Sequence, residues 1–384
     1  MDTALNDNNQ SVIFSDRKRY LWLTPLIISG ITPLTIWLYF WSGSLGITLF
    51  IPMIYFFVFI PVLDMLIGED PYNPTQAMLD DMEQDSYYRL LLFMSIPVYY
   101  ASFFFAAWFV GTQEIAWWAL IVFALGLGTL NSVSLVIGHE LGHKHNKWDQ
   151  IAAKIVIAMV GYGHFTLEHN RGHHVWVSTP EDPASSRLGE SIYQFLLREI
   201  PSTFVRGLSF ERARLNKKGY GFWNWRNDIL QGYAITLGIA AVLIGLFGPI
   251  MIVFLIVHHM FGWYGLTQAN YVEHYGLKRR KLDNGKYEAC EPRHSWNTNH
   301  IVSNLISFHL QRHSDHHSNP QRPYQVLRNF PDLPTLPSGY PGCFGLAAIP
   351  PLWFRVMDPK VMAWADGDMT QINFCPKKFN EDHE

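Results

Sequence analysis

The sequence is poor in cysteine, and it places its charged residues unevenly. Three cysteines in 384 residues, Cys290, Cys343 and Cys375, stand far apart with no CxxC pair. That spacing argues against structural disulfides and against a self-contained thiolate metal centre. There is no internal repeat and no low-complexity tract, so residues 1–384 read as one domain. With 29 Lys+Arg against 32 Asp+Glu, a net charge of −3 gives no sign of nucleic-acid binding.

Asp, Glu, Lys and Arg are missing from six long windows, residues 21–41, 45–63, 90–110, 116–138, 229–247 and 250–272. About 20 helical residues cross the ~30 Å hydrocarbon layer of a bilayer, and each window has that length. Trp22, Trp41, Trp108, Trp117 and Trp118 stand near predicted ends, as an aromatic belt requires. The expected fold is therefore an all-α membrane protein with six transmembrane helices.

Lys and Arg are also absent from the connections after the first, third and fifth windows, residues 42–44, 111–115 and 248–249. All of them fall on the opposite side, and by the positive-inside rule both termini are expected in the cytoplasm of a multi-pass protein. The first apolar run is too long for a signal-peptide core and more spans follow it, so no cleavage is expected. Residues 139–228 and 273–384 form the expected cytoplasmic cap, joined by a short acidic loop at 69–85.

What the sequence has in abundance is histidine, and it is grouped. Of 17 histidines, nine fall in tight clusters: His139 and His143; His169, His173 and His174; His274; and His313, His316 and His317. Residues four apart share a helix face about 6 Å apart along the axis. On that spacing His139/His143, His169/His173 and His313/His317 each grip one ion, with His174 and His316 serving an adjacent one. Nine imidazoles exceed what one ion uses, so the count points to a dinuclear metal site in a histidine-rich cytoplasmic cap.

Several plainer readings compete. HELGH at 139–143 also matches the zinc-protease HExxH pattern, which needs one further ligand and leaves the other groups unexplained. A metal transporter would place its ligands near the membrane midplane, not at one rim. His258 and His259 lie inside the sixth window and read as packing residues, His309 is left out of the ligand set, and His145, His164, His294 and His300 are off the motif spacing. Glu140, Glu168, Glu273 and Asp315 are candidates to accept the second ring N–H of a metal-bound histidine. Gly126 and Gly128 are taken as part of a span, and the proline-rich stretch 320–359 as loop and turn scaffold.

Four motifs then carry a family: HELGHK at 139–144, EHNRGHH at 168–174, NYVEHYG at 270–276 and LQRHSDHH at 310–317. The chain resembles the bacterial integral-membrane alkane 1-monooxygenases of the membrane desaturase and hydroxylase superfamily, over nearly its whole length. The resemblance implies that the nine grouped histidines bind two iron ions as a non-haem di-iron centre. It implies O₂-dependent terminal hydroxylation of n-alkanes to 1-alkanols at the bacterial inner membrane, the alkane entering from the bilayer. It also implies electrons from rubredoxin, itself reduced by a separate NADH-dependent reductase. Lys278, Arg279, Arg280 and Lys281 are candidate docking cations, with a face toward anionic lipid as the alternative, and Tyr55, Phe56, Phe57 and Phe59 read first as helix packing and only second as tunnel wall. A desaturase or a xylene-type hydroxylase is the nearest rival.

Overall fold

A computed structural model describes residues 16–375, and among them there is helix but no strand beyond isolated bridges. We label the helices that matter here α1 (Leu21–Ser29), α2 (Ile31–Trp41), α3 (Gly46–Ile67), α4 (Ser86–Thr112), α5 (Trp117–Gly142) and α6 (Lys147–Ala158). They continue as α7 (residues 165–176), α8 (Ile192–Lys217), α9 (Asp228–Phe247) and α10 (Ile250–His274), then α11 (Ile301–Ile306), α12 (His313–Ser318), α13 (Tyr340–Ala347) and α14 (Pro350–Ala365). Helices α3, α4, α5, α9 and α10 are long and apolar enough to cross a membrane.

The expected first span is broken. Helices α1 and α2 meet at Gly30 with a bend of 43°, so the pair is a broken span or a re-entrant loop, and the described residues hold five or six crossings. Pro33 explains the break: with no N–H it cannot donate to the carbonyl four residues back, and its ring crowds the preceding turn. The ladder restarts when Leu34 N donates to Gly30 O at 3.1 Å. The other five spans stand where the uncharged windows predict, to within a few residues.

Glycine lets the central spans approach closely. A Cβ on Gly128 of α5 would collide with the backbone carbonyl of His258 on α10, and one on Gly126 would meet Pro52 of α3 at 2.8 Å. Gly265 of α10 faces Ser132 of α5 in the same way. Small residues at such crossings allow the backbone contact that drives association in lipid. His258 is buried there beside Asn131 Nδ2 at 3.0 Å and His259 Nδ1 at 3.0 Å, a packing role.

The proline-rich stretch is not only loop, since α13 and the first ten residues of α14 lie within it. Pro341, Pro350 and Pro351 all fall in the first turn of these helices, where a missing N–H costs nothing. Helix α13 packs against α3 and α10, which closes one side of the space beneath the spans.

Candidate metal centre

Helix α5 runs from the membrane straight into its first two histidines, His139 and His143, one turn apart. Its last carbonyls are tied off by neighbours: Gly142 O accepts from Gln150 Nε2 at 2.8 Å and from Asn170 Nδ2 at 2.9 Å. The second bond docks α7, which carries EHNRGHH, against the end of α5. His274 is the final residue of α10, and α12 opens on His313.

All nine grouped histidines converge, in two sets. His139, His143, His169, His174 and His316 form one, and His173, His274, His313 and His317 the other, each set with its ligand atoms within 4.8 Å of one another. The Nε2 atoms point inward: His169 to His174 at 3.0 Å, His174 to His316 at 3.1 Å, His313 to His317 at 2.8 Å and His274 to His313 at 3.2 Å. The sets adjoin, with the His174 and His317 rings 4.4 Å apart.

The expected pairing of His169 with His173 is corrected. Residues 169–173 form a π-helical turn, in which the hydrogen bond spans five residues instead of four. His169 therefore aligns with His174, while His173 turns into the second set. The other two pairs, on ordinary helix, keep the four-residue spacing.

His139, His143 and His173 each bury an Nε2 that has no hydrogen-bond partner. Burial pushes His143, His169, His174, His313, His316 and His317 well below the ordinary histidine value, and repulsion between neighbouring rings adds to it. Neutral imidazoles with orphaned, converging lone pairs are what divalent transition metals coordinate. The residues fit a two-ion site by this test.

Of the four acids expected behind the ligands, only Glu273 touches the cluster. Its Oε2 lies 3.2 Å from His313 Nε2, and its Oε1 accepts from Tyr340 Oη at 2.6 Å. Glu140 pairs with Lys144, Glu168 with Arg206, and Asp315 with Arg322. The acid that orients a ligand is Asp182, whose Oδ2 accepts from His173 Nδ1 at 2.8 Å. Burial opposes its ionisation, yet His173 and Arg206 hold its carboxyl below the usual carboxylate range. Sequence reading missed Asp182 because it stands nine residues from its partner, outside any histidine motif.

Arg206 of α8 donates to both Glu168 and Asp182, bracing α7 from behind. Gly172 makes this possible, since a Cβ there would lie 2.7 Å from the Arg206 Nε. His309 stays outside both sets. It and Phe308 adopt positive φ in the turn between α11 and α12, and its ring packs edge-on against Trp22 at 4.6 Å. His164 donates to or accepts from Tyr233 Oη at 2.8 Å, also away from the centre.

A narrow cavity of about 60 Å³ rises from the cluster between the spans. Val133, Val136, Phe165, Leu266, Phe56 and Phe344 supply apolar wall, and His139, His169 and His313 stand at its base. Of the aromatic run on α3 only Phe56 lines it, within the π-helical turn Tyr55–Phe59. Among the candidate docking cations, Arg279 is buried and spends its guanidinium on the carbonyls of Val175, Val177 and Glu288, so it is structural.

The fatty acid desaturase family profile matches residues 115–344, which hold every grouped histidine. The alkane 1-monooxygenase of Ectopseudomonas oleovorans is 50% identical over 360 residues, covering 94% of this chain and 89% of its own length. Alkane 1-monooxygenase 1 of Alcanivorax borkumensis is 49% identical over 369 residues, with 94% and 90% covered. Apolar spans, the nine-histidine cluster at their foot and likeness along nearly the whole chain agree: this chain belongs to the alkane 1-monooxygenase family of membrane oxidoreductases.

Proposed function

We propose that the chain hydroxylates the terminal carbon of n-alkanes with O₂, at a di-iron centre held by the two histidine sets and fed with electrons by rubredoxin. The observation that carries this reading is the cavity: apolar along its length, it ends on two sets of converging imidazoles. The balance is alkane, O₂, two electrons and two protons giving 1-alkanol and water. Two irons, when bound, supply the reductive activation of O₂ that a strong C–H bond demands.

The chain's own residues do the rest. His139, His143, His169, His174 and His316 would hold one ion, and His173, His274, His313 and His317 the other. Asp182 fixes the His173 tautomer by taking its Nδ1 proton in a hydrogen bond, which turns Nε2 toward the centre. The cavity wall admits a linear alkyl chain end-on, presents its terminal methyl to the cluster and keeps water away from the reacting atoms. With no thiolate centre of its own the chain takes electrons from outside. Lys278, Arg280 and Lys281 remain the candidate cations for an acidic donor. The cation-free connections support a centre on the cytoplasmic side, and the family's bacterial members support an inner-membrane location.

The test is conversion of n-octane by the purified protein with rubredoxin, its reductase, NADH and ¹⁸O₂, with metal quantified in parallel. Labelled 1-octanol with about two irons per chain is expected. Alkene or benzylic alcohol from suitable substrates at full iron loading would favour the desaturase or xylene-type rival. Zinc without O₂ uptake would favour a protease.

A further inference from the structure

Helix α8 is built inside out. Between Ile192 and Phe210 its charged residues Arg198, Glu199 and Arg206 turn into the protein, where each is paired. Its other face carries Tyr193, Leu197, Phe204 and Val205, with Leu197 77% and Val205 60% exposed. A helix on an aqueous surface shows the reverse pattern. The charged residues keep α8 from qualifying as a span by composition, yet none of them is exposed along this stretch.

The helix also packs alongside two of the spans. A cleft of about 440 Å³ runs beneath it, bounded by Ile200, Pro201 and Phe204 of α8, by Tyr233 of α9 and by Trp263 of α10. Tyr233 is five residues inside the start of its span, and Trp263 eleven residues before the end of its own. At 1.5 Å per residue these are about 8 and 16 Å within the histidine-side ends of the two spans.

The segment that follows has the composition of a headgroup anchor. Lys217, Lys218, Trp223, Trp225 and Arg226 are all exposed, Trp223 at 85%, immediately before α9 enters the bilayer. Exposed tryptophan interleaved with lysine and arginine is the pattern of the interfacial belt over anionic lipid.

We propose that α8 is an in-plane helix immersed in the histidine-side leaflet, its outer face and the cleft beneath it covered by phospholipid acyl chains, with residues 217–226 at the headgroups. The bilayer thus forms the outer support of the bracket through which Arg206 holds α7. This inference rests on the multi-pass fold alone and stands whichever metal the cluster binds.

Full-length protein in phosphatidylethanolamine and phosphatidylglycerol vesicles provides the test. A phospholipid with a diazirine on its acyl chain, photolysed in those vesicles, should label peptides covering residues 192–208 as well as the spans. Labelling confined to the spans would overturn the proposal. As a second measurement, nitroxides at Leu197→Cys, Val205→Cys and Asn216→Cys are placed in a chain whose native cysteines are replaced by alanine. The labels at 197 and 205 should collide with O₂ far more than with a water-soluble nickel chelate, and the label at 216 the other way round. Nickel reaching 197 and 205 as freely as 216, as it would if that face were wet or bound a soluble partner, would by itself overturn the proposal.

Discussion

The two histidine sets differ in what stands behind them. Five imidazoles make up the first, drawn from α5, α7 and α12, and among the described residues no carboxylate bonds to any of the five. The second has four, but Asp182 backs His173 and Glu273 lies against His313. One position relies on donor number and the other on the Asp182 charge behind His173. The first set has a donor to spare and the second has none, so the sets should fail in different ways when trimmed.

The largest effect should come from removing one histidine from each set. His274→Ala leaves three imidazoles and a carboxylate whose partner ion is lost, so bound iron should fall toward one per chain and turnover toward background. His174→Ala leaves four imidazoles in the first set and should keep most of its metal at reduced turnover. Iron analysis of the two purified variants decides the matter, and equal loss from both would end the distinction between the sets.

A more selective cut removes charge without removing a ligand. Asp182→Asn keeps the shape but loses the anion that fixes the His173 tautomer, and should weaken metal binding at the four-histidine set by ~10–100-fold. Chelator competition should show one site released early and the other unchanged. Release of both together would mean that Asp182 acts through the Arg206 brace on α7 instead of through His173.

Much of this was legible in the sequence, and what was not has identifiable causes. The uncharged windows gave five spans cleanly because burial in lipid leaves no alternative to an apolar helix. The ligand motifs stood out because imidazoles at helical spacing have few other uses in one cap. The division of the ligands was hidden, because a π-turn over 169–173 changes which residues align while leaving the letters the same. Asp182 was hidden because a bond between an acid and a histidine across a loop leaves no periodic trace. Arg279 looked like part of a cationic run because sequence cannot show that its guanidinium turns inward to three carbonyls. Helices α13 and α14 were read as loop because proline was weighed as a breaker where it stands in the first turn of each helix.

A third prediction concerns the scaffold behind the four-histidine set. Glu199 of α8 is buried and accepts from Thr267 Oγ1 at 2.7 Å and Asn270 Nδ2 at 3.1 Å, both on the helix that ends in His274. Burial pushes its carboxyl up to about 7, against the pull of those two hydrogen bonds. Below pH 4.5 the group is protonated folded or unfolded. Between there and about 7 only the folded state keeps the proton, so stability is lost as pH rises through that window. Glu199→Gln should abolish this slope, worth on the order of 3 kcal/mol, and thermal melts at pH 5 and pH 8 should coincide better than those of the parent. An unchanged slope would assign the pH dependence to another group.

The smallest effect separates charge from its support. Tyr340 of α13 donates to Glu273 Oε1, leaving Oε2 to lie beside His313. Tyr340→Phe removes that one hydrogen bond but not the carboxylate. A lost bond to a charged group costs about 1.5–3 kcal/mol at the bond itself. Because Glu273 stays in place, little of this should reach the ion, and iron content should hold while turnover falls several-fold. Tyr340 also lines the cavity, so KM for a long alkane reads the second consequence of the same change. A fall in turnover with KM unchanged would place the role of Tyr340 in holding Glu273. A raised KM at constant turnover would place it in the wall, and the Glu273 carboxyl at the inner side of the four-histidine set would then need no help from α13.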